Sequence, residues 1–163
     1  MIKKALFILI CLFSNACLAY CQESIVISKK KHMLYVVGQK SDTLFSAPIA
    51  VGRNYGNKTR SGDMKTPEGV FSISQIQNSG GWTHDFHDGH GERKGAYGPW
   101  FFRVKVPRFT HIGIHGTCFP KSIGTHCSEG CVRLHNADLE KLRQYVQVGM
   151  KCTILPDGTK RRR

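Results

Sequence analysis

Short apolar stretches with alternating polar positions, set apart by Gly- and Lys-rich turns, run through most of this chain. Ser24 to Ser28, His32 to Val37 and Thr43 to Val51 are rich in Ile, Val, Leu, Phe and Tyr. They predict three successive strands, because β-branched and aromatic residues suit a half-buried pleated surface. Gly52 to Pro67 is polar and predicts a loop, and Gly69 to Gln75 returns to a period of two. Trp100 to Val106, His111 to Ile114 and Lys151 to Leu155 complete seven predicted strands. A helix is predicted at Ala137 to Val146, with Asn136 as its cap, Asp138 and Glu140 near its positive end, and Leu139, Leu142 and Val146 on one stripe. The expectation is a mainly β domain, a β-sandwich or partly closed barrel of mixed sheets with one short helix after Cys131. There are no repeats and no Rossmann or P-loop glycine pattern.

Two segments fall outside this pattern. Asn78 to Pro99 is rich in Gly, carries Trp82, His84, His87, His90 and Tyr97, and shows neither period. A loop of this length is functional or mobile by expectation, and the preferred reading is a lid whose Trp82 and Tyr97 pack over a substrate groove. At the start, Lys3 and Lys4 precede an apolar run from Ala5 to Phe13, with small residues from Ala16 to Ala19. This is the arrangement of a secretory signal over residues 1–21, too short to span a bilayer. Cleavage after Cys21 leaves a mature chain of residues 22–163. Leu18 to Cys21 is only a loose match to a lipoprotein box because Tyr20 is bulky, so membrane attachment is expected only if the chain is lipidated.

The 163 residues suffice for one domain. Loss of the leader removes Cys11, Cys17 and Cys21 and leaves Cys118, Cys127, Cys131 and Cys152, too few for a disulfide scaffold. Cys118 with Cys127 is the pairing expected if any forms. The net charge of +13 includes a basic tail from Lys160 to Arg163 and favours polyanions. Nucleic acid is the habitual reading of such a charge. Export points instead to cell-wall peptides, anionic wall polymers or lipid headgroups.

Candidate chemistry concentrates between Ile114 and Asn136. His115 precedes a Gly116-Thr117 turn, and Cys131 follows Gly130, with fifteen residues between the His and the Cys. A free thiol is mostly protonated at neutral pH, so a nucleophilic Cys needs a base, and His115 is the candidate. The Gly130 and Cys131 amides are candidate oxyanion donors, and Ser128 would brace their turn. In an extended chain Arg133 shares a face with Cys131 and would grip a carboxylate; a structural salt bridge is the plainer alternative. His111, four residues before His115 at strand parity, would support it or sit in the core. His84, His87 and His90 recur every third residue, a spacing that suits a solvated loop or the lid better than a metal site.

The string from Ile114 to Asn136 resembles the catalytic motif of the L,D-transpeptidase, or YkuD-like, family. It has the His-Gly-Thr turn, Ser122-Ile123-Gly124, then Ser128, Gly130, Cys131, an aliphatic residue and Arg133. Thr66-Pro67-Glu68-Gly69 with Phe71 and Tyr97-Gly98-Pro99 are similar to two further family features. The resemblance implies Cys131 as nucleophile, His115 as general base, the Gly116 carbonyl as the group orienting the imidazole, and Arg133 on the substrate side. It also implies peptidoglycan stem peptides as substrate, with no cofactor. A monomer secreted to the cell envelope, periplasmic or outside the cytoplasmic membrane, is the expected setting. Alternatives are a metal-dependent wall peptidase using the loop histidines, or a non-catalytic basic wall-binding module. Two departures stand out: Glu129 occupies a position where many relatives carry His, and residues 78–96 have no family counterpart.

Overall fold

A computed structural model describes residues 23–158; the predicted leader, its three cysteines and the tail from Lys160 to Arg163 lie outside the described residues. The strands are β1 (Ser24–Ser28), β2 (Met33–Val37), β3 (Thr43–Pro48), β4 (Val51–Gly52), β5 (Gly69–Asn78), β6 (Thr83–Asp85), β7 (Glu92–Lys94), β8 (Trp100–Val104), β9 (Gly113–His115), β10 (His126–Ser128), β11 (Val132–Arg133) and β12 (Lys151–Leu155). One helix, α1, spans Asn136–Arg143.

Eight strands form one sheet in the order β11-β9-β8-β5-β12-β1-β2-β3. The sheet is mixed, as expected: β1 runs parallel to β12 and β11 parallel to β9, while the other neighbours are antiparallel. The period of two in β1, β2 and β12 turns Ile25, Ile27, Leu34, Val36, Cys152 and Ile154 to one buried face. Leu139 and Leu142 of α1 join this core. The helix is fixed across β8 by Trp100, whose indole N–H donates to Glu140 at 3.0 Å while Arg143 lies over its ring.

Several elements differ from expectation. The predicted strand Thr43 to Val51 breaks after Pro48, which has no N–H to extend a ladder and sits on the edge strand β3. Ala50 then leaves to bridge Arg133. The segment predicted as a structureless loop contains the β6–β7 hairpin, closed by pairs from Thr83 with Lys94 to Asp85 with Glu92. Strands of three residues carry too little periodicity to be seen in sequence. Asn136 is the first helical residue rather than the cap; its side-chain oxygen instead accepts the Thr117 N–H at 2.9 Å, and His135 caps the helix without a side-chain bond. Cys118 and Cys127, the expected pair, are both free thiols, as are Cys131 and Cys152. The Cys127 Sγ is directed to the Ser122 carbonyl.

A buried cation holds the chain segments that frame one end of the sheet. Lys29, 1% exposed, donates to the Glu68 carboxylate at 2.6 Å and to the Gly56 and Thr66 carbonyls, and lies 3.2 Å from Asp157. It thereby ties the end of β1 to the entry of β5 and the exit of β12. Replacement of Lys29 by Ala leaves two carboxylates without their cation, and the expected loss of stability is about 3 kcal/mol. Urea unfolding of the variant checks this; a change below about 1 kcal/mol would show that Glu68 and Asp157 are solvated without it.

Candidate active site

The pairing of β11 with β9 sets Val132 against Ile114 and Arg133 against His115, so the next step back sets Cys131 beside Gly113. Cys131 and His115 both line a cavity of about 680 Å³. Its walls come from separate parts of the chain. The loop before β5 supplies Lys58, Ser61, Gly62 and Met64, and the hairpin supplies His84 and Phe86. Tyr97, Arg108, Phe109, Glu129 and Arg133 complete most of the lining.

Backbone packing fixes the imidazole. The His115 Nδ1 lies 2.7 Å from the Gly116 carbonyl oxygen, which can only accept, so Nδ1 carries the proton and Nε2 presents a lone pair. Phe101 stacks on the ring at 5.4 Å and Tyr97 packs at 4.9 Å. Burial, then the nearby Arg133 charge, lowers the His115 pKa to about 3 against the pull of the Gly116 carbonyl. The imidazole is therefore neutral at rest, with its Nε2 lone pair free, and the same burial makes it a weaker base than a solvated histidine. Gly116 is required for this closeness: a Cβ there would meet the Asn136 Oδ1 at 2.2 Å and the Gly98 Cα at 2.8 Å.

The turn that carries Cys131 is equally constrained. Gly130 has φ of +135°, and a Cβ would meet the Lys65 carbonyl oxygen at 2.9 Å. Ser128 is fully buried; its hydroxyl donates to the Cys131 carbonyl at 2.5 Å and accepts the Gly130 N–H at 3.1 Å. Ser128 thus braces the turn as expected and, lying outside the cavity lining, is not placed to touch a ligand. The Gly130 amide, expected as an oxyanion donor, is engaged by Ser128 instead. The Cys131 N–H takes no part in the β11 ladder.

Cys131 is half-buried, and its thiol donates to the His111 carbonyl at 3.3 Å. Burial pushes the thiol pKa up; the Gly113 amide and the Arg133 and Lys58 charges oppose this without reversing it, and Glu129 adds to the rise. Thiol and imidazole at rest are thus both neutral. Cys152, by contrast, is an enclosed core thiol, pushed up to about 12 by burial alone.

The remaining predicted residues sort by contact. His111 is exposed and precedes β9, so strand parity does not apply to it; it lines the cavity and offers its carbonyl to the thiol. Trp82 packs behind Tyr97 and Phe101 and does not reach the cavity, whereas Tyr97 does. Arg133 is 7% exposed and makes no ion pair with any described residue; its Nε is buried without a hydrogen-bond partner, and its guanidinium lies over Phe86. His87 and His90 point to their neighbours Asp85 and Asp88. Among the described residues no group of three or more His, Cys, Asp or Glu is arranged to hold a metal ion.

Sequence reasoning missed Lys58, Arg108, Phe86 and Phe109. Lys58 is placed by Asp63, which also accepts three backbone amides from its own loop. Burial works against this carboxylate, yet Lys58 and the amides hold its pKa well below the usual range. A Lys and an Asp five apart in a polar loop give no signal that one organises the loop and the other faces a site.

A family model described as the L,D-transpeptidase catalytic domain matches residues 22–154. YkuD of Bacillus subtilis, provisionally named an L,D-transpeptidase, is 32% identical over 130 residues, covering 76% of this chain and 65% of that protein. Its namesake in Bacillus licheniformis is 33% identical over 109 residues, 67% of this chain and 52% of that protein. The chain thus spans roughly half to two thirds of these relatives. The NMR structure of the catalytic domain of an Enterococcus faecium L,D-transpeptidase shares the fold, with a TM-score of 0.59 at 16% identity, covering 83% of this chain and 98% of that one.

A resting site with both groups neutral has a kinetic signature. Alkylation of Cys131 by iodoacetamide, followed by mass mapping of the modified peptide, should accelerate with pH beyond about 8.5, the ordinary thiol range. A rate already level between about pH 5 and 8 would reveal a preformed thiolate–imidazolium pair instead.

Proposed function

The chain belongs to the L,D-transpeptidase catalytic domain family, and on that footing we propose that Cys131 accepts the acyl group of a peptidoglycan stem peptide and passes it to an amine or to water. The observation that carries this reading is the shared cavity. A thiol and a base-competent imidazole face the same space as a buried guanidinium with an unpartnered Nε. An unpaired buried cation is costly, and a ligand carboxylate at Arg133 relieves that cost.

In this mechanism the Cys131 Sγ attacks the carbonyl carbon that precedes the terminal D-residue of the stem. The His115 Nε2 takes the thiol proton as the S–C bond forms and passes it to the leaving nitrogen as the C–N bond breaks. The Cys131 N–H, outside the β11 ladder, is the candidate donor to the oxyanion. The stem remains as a thioester until an incoming amine, or water, forms a bond to the same carbon and the C–S bond breaks, returning a proton to sulfur. An amine acceptor yields a cross-link, and water yields an L,D-carboxypeptidase. Every group used comes from the protein, so the chemistry needs no metal. The substrate lies outside the cytoplasmic membrane, so this reading goes with export of the mature chain to the cell envelope.

Intact-mass measurement after incubation with a stem tetrapeptide or a carbapenem should show an adduct on Cys131 that persists with EDTA and vanishes in Cys131→Ala. No adduct on the reduced wild-type protein would overturn the assignment. Loss of turnover on adding EDTA would move it to a metallopeptidase.

A further inference from the structure

Three cationic side chains, Lys58, Arg108 and Arg133, line the cavity, and among the described residues Glu129 is the one carboxylate that lines it with them. Glu129 forms an ion pair with none of the three. Its Oε1 instead lies 3.5 Å from the Nε2 of His84, a residue of the β6–β7 hairpin. The carboxylate can only accept, so Nε2 carries the proton and Nδ1 accepts from the Tyr97 hydroxyl at 3.1 Å. Burial keeps that phenol protonated and able to donate. The hairpin itself is docked: Phe86 packs on Phe119 at 5.1 Å, and the Arg133 and Arg93 guanidiniums lie over the two rings. Tyr97, His84 and Glu129 thus form a line that starts against the His115 ring and ends at an exposed carboxylate two residues from the nucleophile.

We propose that Glu129, steered by His84, is the site that receives the ammonium group of the amine acceptor. This rests on the acyl-transfer reading above and extends it to the second half-reaction. Glu129 is 42% exposed, while Arg133 is buried. An acceptor arriving from solvent after the first leaving group has gone therefore meets Glu129 at the mouth. Amines reach the site protonated and attack only as the free base. The ammonium gives one proton to the Glu129 carboxylate, which releases it to solvent. The nitrogen lone pair then forms the C–N bond as the C–S bond of the thioester breaks, and the second proton passes through His115 to sulfur. Amide, thiol and one solvent proton are the products.

The test follows the fate of one acyl-enzyme. With a stem tetrapeptide as donor and Nα-acetyl-lysine as acceptor, the ratio of aminolysis to hydrolysis is measured against acceptor concentration. That ratio does not depend on how fast the acyl-enzyme forms. Glu129→Gln should lower it about fivefold, chiefly through a raised KM for the amine, and Glu129→Asp should recover part of it. His84→Ala, which keeps the carboxylate but frees it to turn toward the cations, should lower it less. An unchanged ratio in Glu129→Gln, with thermal unfolding showing a folded variant, overturns the proposal. A wild-type protein that forms no acyl-enzyme overturns the broader reading on which it rests.

Discussion

Two steps of parallel sheet, Val132 on Ile114 and Arg133 on His115, are what the reactive geometry depends on. They join residues eighteen apart in the sequence, and they are long-range contacts whose loop-closure cost local propensity cannot meet. The surrounding structure supplies that stability. The β8 strand holds β9, Ala50 bridges Arg133, and Ser128 closes the turn before Cys131. Gly98, Gly116 and Asn136 approach closely and hold the Tyr97–Gly98 turn against His115. A change in any of these moves the thiol or the imidazole relative to the other before it affects the fold as a whole.

The same enclosure governs the electrostatics. Burial lowers the imidazole and raises the thiol, and both shifts favour the uncharged pair. Arg133 acts in opposite senses on the two, disfavouring a charged His115 while favouring a charged Cys131. An approaching carboxylate would neutralise that guanidinium. The imidazolium then becomes easier to form and the bare thiolate harder, so ligand binding favours a proton transfer coupled to attack over a standing thiolate. The site is thus quiet when empty, because neither group carries the charge that makes a thiol reactive.

The fold class and the Cys131 region were legible for different reasons. Runs rich in β-branched and aromatic residues mark β1, β2, β8 and β12, β5 adds a period of two, and a mainly β domain follows from them. The motif around Cys131 was legible as a string, because residues from Ile114 to Asn136 form the β9 strand, the bracing turn and β11 in one continuous run. What stayed hidden lies where structure is made by contacts at a distance. Strands of two or three residues have no period to read. Asn136 has the chemistry of a helix cap, yet tertiary context gives its oxygen to Thr117. Trp82 has the side chain of a ligand contact, yet it is used to support Tyr97, which does reach the cavity.

The hairpin shows why a residue's identity at a motif position is not sufficient. With Glu129 between Ser128 and Gly130, the turn carries a negative charge beside a thiol whose ionisation that charge opposes. Alone, such a carboxylate would be drawn to Lys58, Arg108 or Arg133, and the cavity would lose both a cation and an anion to an internal pair. The hairpin prevents this by presenting His84, whose imidazole is held from its other nitrogen by Tyr97. The β6–β7 hairpin and the carboxylate beside the Cys131 turn are thus in contact through His84.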